Sequence, residues 1–198
     1  MLKLDNLLYS DEGRKVTFEY SYDDFLTKYF NKNELYYIGY QEDISLVPKS
    51  ILTIPFLANI MPIAWFVGFD VFVDELDETF YNSLLELKSE FAIHFPQIKK
   101  ETKLHVKNLV SNKFEQDNYG LLFSGGLDAF ESLTRNIEKK PYLISVHGAD
   151  IEINDEKRWN DFKTFNLEEE IIDEDKICYV ESNLRTFYTY EVDLLVGV

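Results

Sequence analysis

Apolar residues in this chain gather into short runs of strand character separated by longer runs of helical spacing. Lys15-Val16-Thr17-Phe18-Glu19-Tyr20 and Leu35-Tyr36-Tyr37-Ile38-Gly39-Tyr40 concentrate β-branched and aromatic residues and predict two strands. The one long apolar stretch, Ile51 to Phe69, has the length of a membrane span. Pro55, Asn59, Pro62 and Gly68 interrupt it, Asp70 ends it, and no basic flank adjoins it. It reads as a buried helix with Pro55 in its first turn, running to about Phe66, irregular near Pro62 and closed by Gly68. A short strand, Phe69 to Val73, follows. Asp77 then caps a long helix in which Phe80, Leu84, Leu87 and Phe91 share one face. Pro96 marks its end, and Leu104 to Val110 returns as a strand.

The polar run Ser111-Asn112-Lys113-Phe114-Glu115-Gln116-Asp117-Asn118 is the one convincing linker, which divides the chain into residues 1–117 and 118–198. Beyond it the pattern is strand Tyr119–Phe123, helix Gly126–Ile137, strand Tyr142–Val146, helix Asp155–Glu170 and strand Lys176–Val180. Short strands separated by helices imply a parallel sheet with right-handed crossovers.

Charge and composition narrow the partners. The formal net charge of −16 opposes binding to nucleic acid, which needs a basic face to release counterions. An apolar content of 45% and an aromatic content of 16% exclude a disordered chain. The single cysteine, Cys178, excludes an internal disulfide, and His94, His105 and His147 show no zinc-type spacing. Met1-Leu2-Lys3-Leu4-Asp5-Asn6 lacks the charged-then-apolar order of an export signal, so the expected compartment is cytoplasmic, with no membrane partner.

The densest chemical signal is Tyr119-Gly-Leu-Leu-Phe-Ser-Gly-Gly-Leu-Asp128. A strand delivers the chain to a bend with two glycines, which admit positive φ and let peptide N–H groups approach an anion. The following helix adds its first-turn N–H groups and the positive end of its dipole. Residues Ser124-Gly125-Gly126-Leu127-Asp128 resemble the SGGxDS signature of the PP-loop ATP pyrophosphatases. That group is similar in fold to the adenine-nucleotide α-hydrolase-like (HUP) class, and 7-cyano-7-deazaguanine synthase is one of its members. The resemblance covers the chain from Tyr119 onward. It implies an α/β chain in which a Rossmann-like, parallel-sheet PP-loop domain, here partial, follows a small α+β N-terminal domain.

The resemblance also implies ATP and Mg²⁺ as cofactors. The loop Ser124, Gly125, Gly126, Leu127 and Asp128 would hold the β- and γ-phosphates, with Asp128 on the metal. Ser145, Val146 and His147, at the end of the second strand, would offer groups to adenine. Arg185, the one basic residue in the loop after the third strand, would meet a phosphate. The chain departs from the signature at its sixth position, where Ala129 stands in place of a hydroxyl residue and one side-chain donor to pyrophosphate is lost. It also lacks the structural zinc cysteines of the deazaguanine synthases. Catalytic residues are not assigned.

Other chemistries fit less well. A serine hydrolase built on Ser124, His147 and Asp150 lacks the glycine two positions before its serine. Neither a Walker A lysine nor a GxGxxG turn is present. Asp74, Glu75, Asp77 and Glu78 read as a capped helix start rather than a metal site. The acidic stretch from Asp150 to Asp175 reads as a solvated helix and loop, with Trp159 and Phe162 turned inward.

The expected activity is therefore that of an ATP pyrophosphatase-type ligase or amidotransferase. It adenylates the carboxylate or amide of a small-molecule substrate and releases pyrophosphate. The alternative is a nucleotide-binding regulatory or scaffold module without turnover. A family member would carry further strands beyond the first one. That expectation, with the apolar tail Leu194-Leu195-Val196-Gly197-Val198, implies a homo-oligomer or a missing C-terminal region, and an unpaired far edge on the first strand.

Overall fold

The computed structural model describes residues 1–114 and 118–196, with the side chain of Val196 left aside. Gly197 and Val198, the end of the apolar tail, and residues 115–117, at the expected boundary, lie outside the described residues. The chain is an α/β protein. In order it forms β1 (Leu2–Ser10), β2 (Lys15–Tyr22), β3 (Tyr37–Gly39), α1 (Lys49–Val67), β4 (Val71–Asp77), α2 (Glu78–His94), β5 (Leu104–Val110), β6 (Gly120–Leu122), α3 (Leu127–Arg135), β7 (Tyr142–His147), α4 (Glu156–Glu168), β8 (Ile177–Ser182) and α5 (Tyr190–Val196).

All eight strands join one mixed sheet in the order β5-β4-β1-β2-β3-β8-β7-β6. Pairs β1–β4, β4–β5, β6–β7 and β7–β8 are parallel, whereas β1–β2, β2–β3 and β3–β8 are antiparallel. The expected β-α-β-α-β succession after residue 118 is present as β6-α3-β7-α4-β8, and its three strands are parallel. The N-terminal strands extend the sheet on the β8 side. Among the described residues the outer edge of β6 is therefore unpaired, as is that of β5 at the other end.

Helix α1 begins at Lys49, six residues before the expected start, and carries Pro55 and Pro62 in its interior. An interior proline costs roughly 3 kcal/mol or more, and burial of most of the helix's apolar side chains offsets that cost. Phe56, Leu57, Ile60 and Ala64 are fully buried, and Asn59 Nδ2 donates to the Pro55 carbonyl at 2.9 Å. Among the described residues α1 is the one helix long and apolar enough to cross a membrane, and it serves here as the core helix. Gly68 ends it in the left-handed conformation (φ 92°), donating its N–H to Ala64 O at 2.8 Å.

Asp77 caps α2 as expected, its Oδ1 accepting from Phe80 N at 2.9 Å. Leu84 is buried and Phe80 and Phe91 pack against the core, but Leu87 is 43% exposed, so the expected apolar face of α2 is covered only in part. Strand β1 carries a register shift between Leu4 and Asn6, which breaks its alternation of inward and outward side chains.

The segment after β8 fastens the two ends of the chain together. Asn183 Oδ1 accepts from Tyr37 N at 2.9 Å, its Nδ2 donates to Leu35 O at 3.0 Å, and Ser182 Oγ donates to Tyr37 O at 2.9 Å. Phe187 then inserts among the N-terminal aromatics, 4.6 Å from the Tyr36 ring, and is fully buried. Register along β6–β7–β8 holds the carboxyl ends of the three parallel strands side by side, which is where loops gather around a ligand in such sheets.

Candidate nucleotide site

Residues Leu122 and Phe123 lead from β6 into the bend. Phe123 is buried, its N–H donating to Ile144 O at 2.8 Å, and it packs edge-on against Phe130 of α3 at 5.1 Å. Strand and helix are thereby fixed relative to the turn between them.

The two glycines have different causes. Gly125 has φ 73°, and a Cβ there would stand 2.9 Å from Phe162 Cε2, so both backbone and packing call for glycine. Gly126 has ordinary extended angles, φ −81° and ψ 169°, and a Cβ on it would meet only Ser124 Oγ, at 3.5 Å. Neither strain nor crowding requires glycine at 126. It is the N-cap of α3 and makes no side-chain cap, so the first-turn N–H groups have no capping oxygen from that residue.

A cavity of about 190 Å³ opens beside this turn, walled among others by Ser124, Val146, Asp150, Ile151, Trp159 and Phe162. It joins the ends of β6 and β7 to α4. Asp155 sets the start of α4 by accepting from Arg158 N at 3.0 Å, and that start brings Trp159 and Phe162 inward as expected. A second, more open space of about 500 Å³ shares Trp159 as a wall and runs along β8 toward Arg14, Lys15 and Gln41.

The expected site residues separate into three groups. Ser124 and Val146 line the cavity, and Gly125, Gly126, Leu127 and Asp128 form the turn and first helical residues beside it, Leu127 and Asp128 being exposed. Ser145 also lines it, but its buried hydroxyl already donates to Phe123 O at 2.7 Å, so the side chain ties β7 to β6. His147 and Arg185 lie outside the smaller cavity, although His147 lines the larger space. His147 is buried, stacks on Trp159 at 4.7 Å and 3°, and has Nε2 3.2 Å from Glu152 O, so its ring braces the loop. Arg185 is exposed and lines neither space, because Asn183 turns the chain there toward β3.

No lysine or arginine is among the residues lining the smaller cavity, and Asp150 contributes a carboxylate. An anion held there would rely on peptide N–H groups and on a cation arriving with it. Among the described residues no group of three His, Cys, Asp or Glu side chains is gathered as a ready metal site. That is compatible with Mg²⁺, which commonly rests on one or two carboxylates plus substrate phosphates and keeps its waters. The loop 147–150 was expected to gather at the strand ends and Asp150 walls the cavity, whereas Ile151 as a wall had no local signal in the sequence.

Comparison with protein-family models, with curated proteins and with solved structures found no match for this chain.

Proposed function

We propose that the chain binds ATP with Mg²⁺ at the 124–128 turn, as a partial PP-loop domain of Rossmann-like type. Its activity is then that of an ATP pyrophosphatase-type ligase acting on a small carboxylate or amide. The observation that carries this reading is Gly126, a glycine that neither strain nor crowding requires, at the uncapped start of α3 beside a cavity at the strand ends. Close approach of a phosphate is what a missing Cβ serves at such a place.

Site volume agrees with a nucleotide shared between two spaces. The 190 Å³ cavity is small for a whole ligand, whereas with the 500 Å³ groove beyond Trp159 the space falls within the range of about 300–1,000 Å³ usual for small-molecule sites. Mg²⁺ would rest on Asp128 or Asp150 and neutralise phosphate charge. The chain's own groups would position the phosphates through the peptide N–H groups of the turn.

ATP/pyrophosphate exchange with a panel of carboxylates tests the activity. Exchange that depends on one carboxylate, and that falls in Asp128→Ala, is expected. Nucleotide binding without exchange would instead favour a regulatory or scaffold module without turnover, the reading to which Ala129 points. Absence of both binding and exchange in folded protein overturns the proposal.

A further inference from the structure

At the opposite end of the sheet a cavity of about 360 Å³ lies between α1, α2 and the start of β5. Met61, Leu84, Leu85 and Tyr81 give it apolar walls, and Lys88, Lys100 and Lys103 stand around it. Three cations at one cavity are unusual in a chain of net charge −16. Lys88 is held in place, its Nζ donating to Lys100 O at 2.8 Å and Thr102 O at 2.6 Å. Burial lowers the pKa of its ammonium, while the nearby carboxylates of Glu101 and Asp70 act the other way.

Trp65 supplies the second observation. It lines the same cavity, is 1% exposed, and its buried Nε1 has no hydrogen-bond partner among the described residues. A buried donor left unmatched costs about 1–3 kcal/mol, and among the described residues Trp65 is an indole held at the cavity wall by packing alone. Against the carboxylates of Glu101 and Asp70 stand the three lysines, and Met61, Tyr81, Leu84 and Leu85 make the apolar part of the wall.

We propose that this cavity binds a small apolar monocarboxylate, with the aliphatic and aromatic walls, Trp65 among them, holding its body and Lys88 Nζ answering its oxygens. The ligand does not react at the nucleotide turn. β5 and β6 are the outermost strands, seven spacings of about 4.8 Å apart or roughly 34 Å, so the two sites stand or fall separately.

The test follows the indole N–H resonance of Trp65 by ¹H–¹⁵N correlation NMR on the whole chain, assigned with Trp159→Phe, while octanoate or phenylacetate is added. A saturable displacement is expected with either carboxylate and none with octylamine or octanol. Lys88→Gln should weaken binding by about tenfold or more, the loss of a charge-assisted hydrogen bond. Should that variant not fold, Lys100→Gln with Lys103→Gln serves instead and should weaken binding severalfold. An unmoved Trp65 resonance at millimolar carboxylate, equal binding of octylamine, or unchanged affinity in the lysine variants overturns the proposal.

Discussion

Among the described residues, 28 buried apolar side chains form one continuous core around α1, whereas the cluster under α3 holds four, Phe123, Leu133, Leu143 and Ile172, with Ile151 and Trp159 also buried in that region. The two regions share a sheet and differ in what holds them. In the first, rings stack on rings, Phe18 lying 5.0 Å from Tyr36 and 5.3 Å from Phe56. In the second, much of the order is supplied from outside, through the β3–β8 pairing, the Asn183 hydrogen bonds and Phe187. Ligand-facing regions are commonly drawn from the less stable parts of a fold, since a loop that must close on a ligand cannot sit at the bottom of the core. The candidate nucleotide turn lies in the thin region, and the chain's stability lies in the thick one.

Phe56→Ala breaks the comparison at its strong end. It removes a fully buried ring between Phe18 and Tyr20 and should cost about 3–5 kcal/mol. Because the core around α1 anchors the whole sheet, hydrogen exchange should quicken in every strand, β6 to β8 included. Leu133→Ala acts on the thin region and should cost about 2–3 kcal/mol, at the low end for a buried leucine because few neighbours surround it. Here the quickening should be confined to residues 120–182. Equal spread of exchange in the two variants would show that the regions open as one.

Legibility in the sequence followed the same division. Strand β5 and the caps Asp77 and Gly68 were read correctly because each rests on neighbours in sequence. The β6-α3-β7-α4-β8 order was legible for the same reason. Strand β1 was missed, since the register shift after Leu4 moves its later leucines out of alternation. The start of α1 was misplaced because proline usually marks a first turn, and only tertiary burial makes an interior Pro55 tolerable. At the site, the turn was visible as a motif, while the roles of Ser145, His147 and Arg185 depended on Phe123, Trp159 and Asn183, partners that no local pattern reveals.

Asp77→Ala should cost about 1–2 kcal/mol, the range for a lost N-cap. Its carboxylate also accepts from Asn112 Nδ2 at 2.9 Å, and that amide holds its pKa below the ordinary value, with the Phe80 N–H assisting. Asp70 is lowered as well, chiefly by His105 at 2.8 Å. A carboxylate with a depressed folded pKa stabilises fully above its unfolded value, about 3.9, and loses that contribution as pH falls through the folded value. Unfolding midpoints should therefore drop below about pH 4, and Asp77→Asn, which keeps a capping oxygen, should make the acid drop shallower. An unaltered acid limb in that variant would remove Asp77 from the explanation.

Ala129→Ser gives the smallest effect. Ala129 sits at the margin of the small core, so the hydroxyl changes stability little and should tighten ATP or pyrophosphate by about 1 kcal/mol, one added hydrogen bond. Equal calorimetric affinity of the two proteins would mean that this position does not face the phosphates.

Gly126→Asp tests the central claim most directly, because the structural and ligand accounts of that glycine part company there. A Cβ has room at 126, and a carboxylate at the N-cap suits α3, so the variant should fold with stability unchanged or raised by a few tenths of a kcal/mol. Its carboxylate would occupy the place proposed for phosphate. Titration calorimetry of MgATP should give saturable binding to the unaltered chain, lost when Mg²⁺ is chelated and lost in Gly126→Asp. Equal binding by both folded proteins, or none by the unaltered one, would contradict the assignment of the 124–128 turn as a nucleotide site.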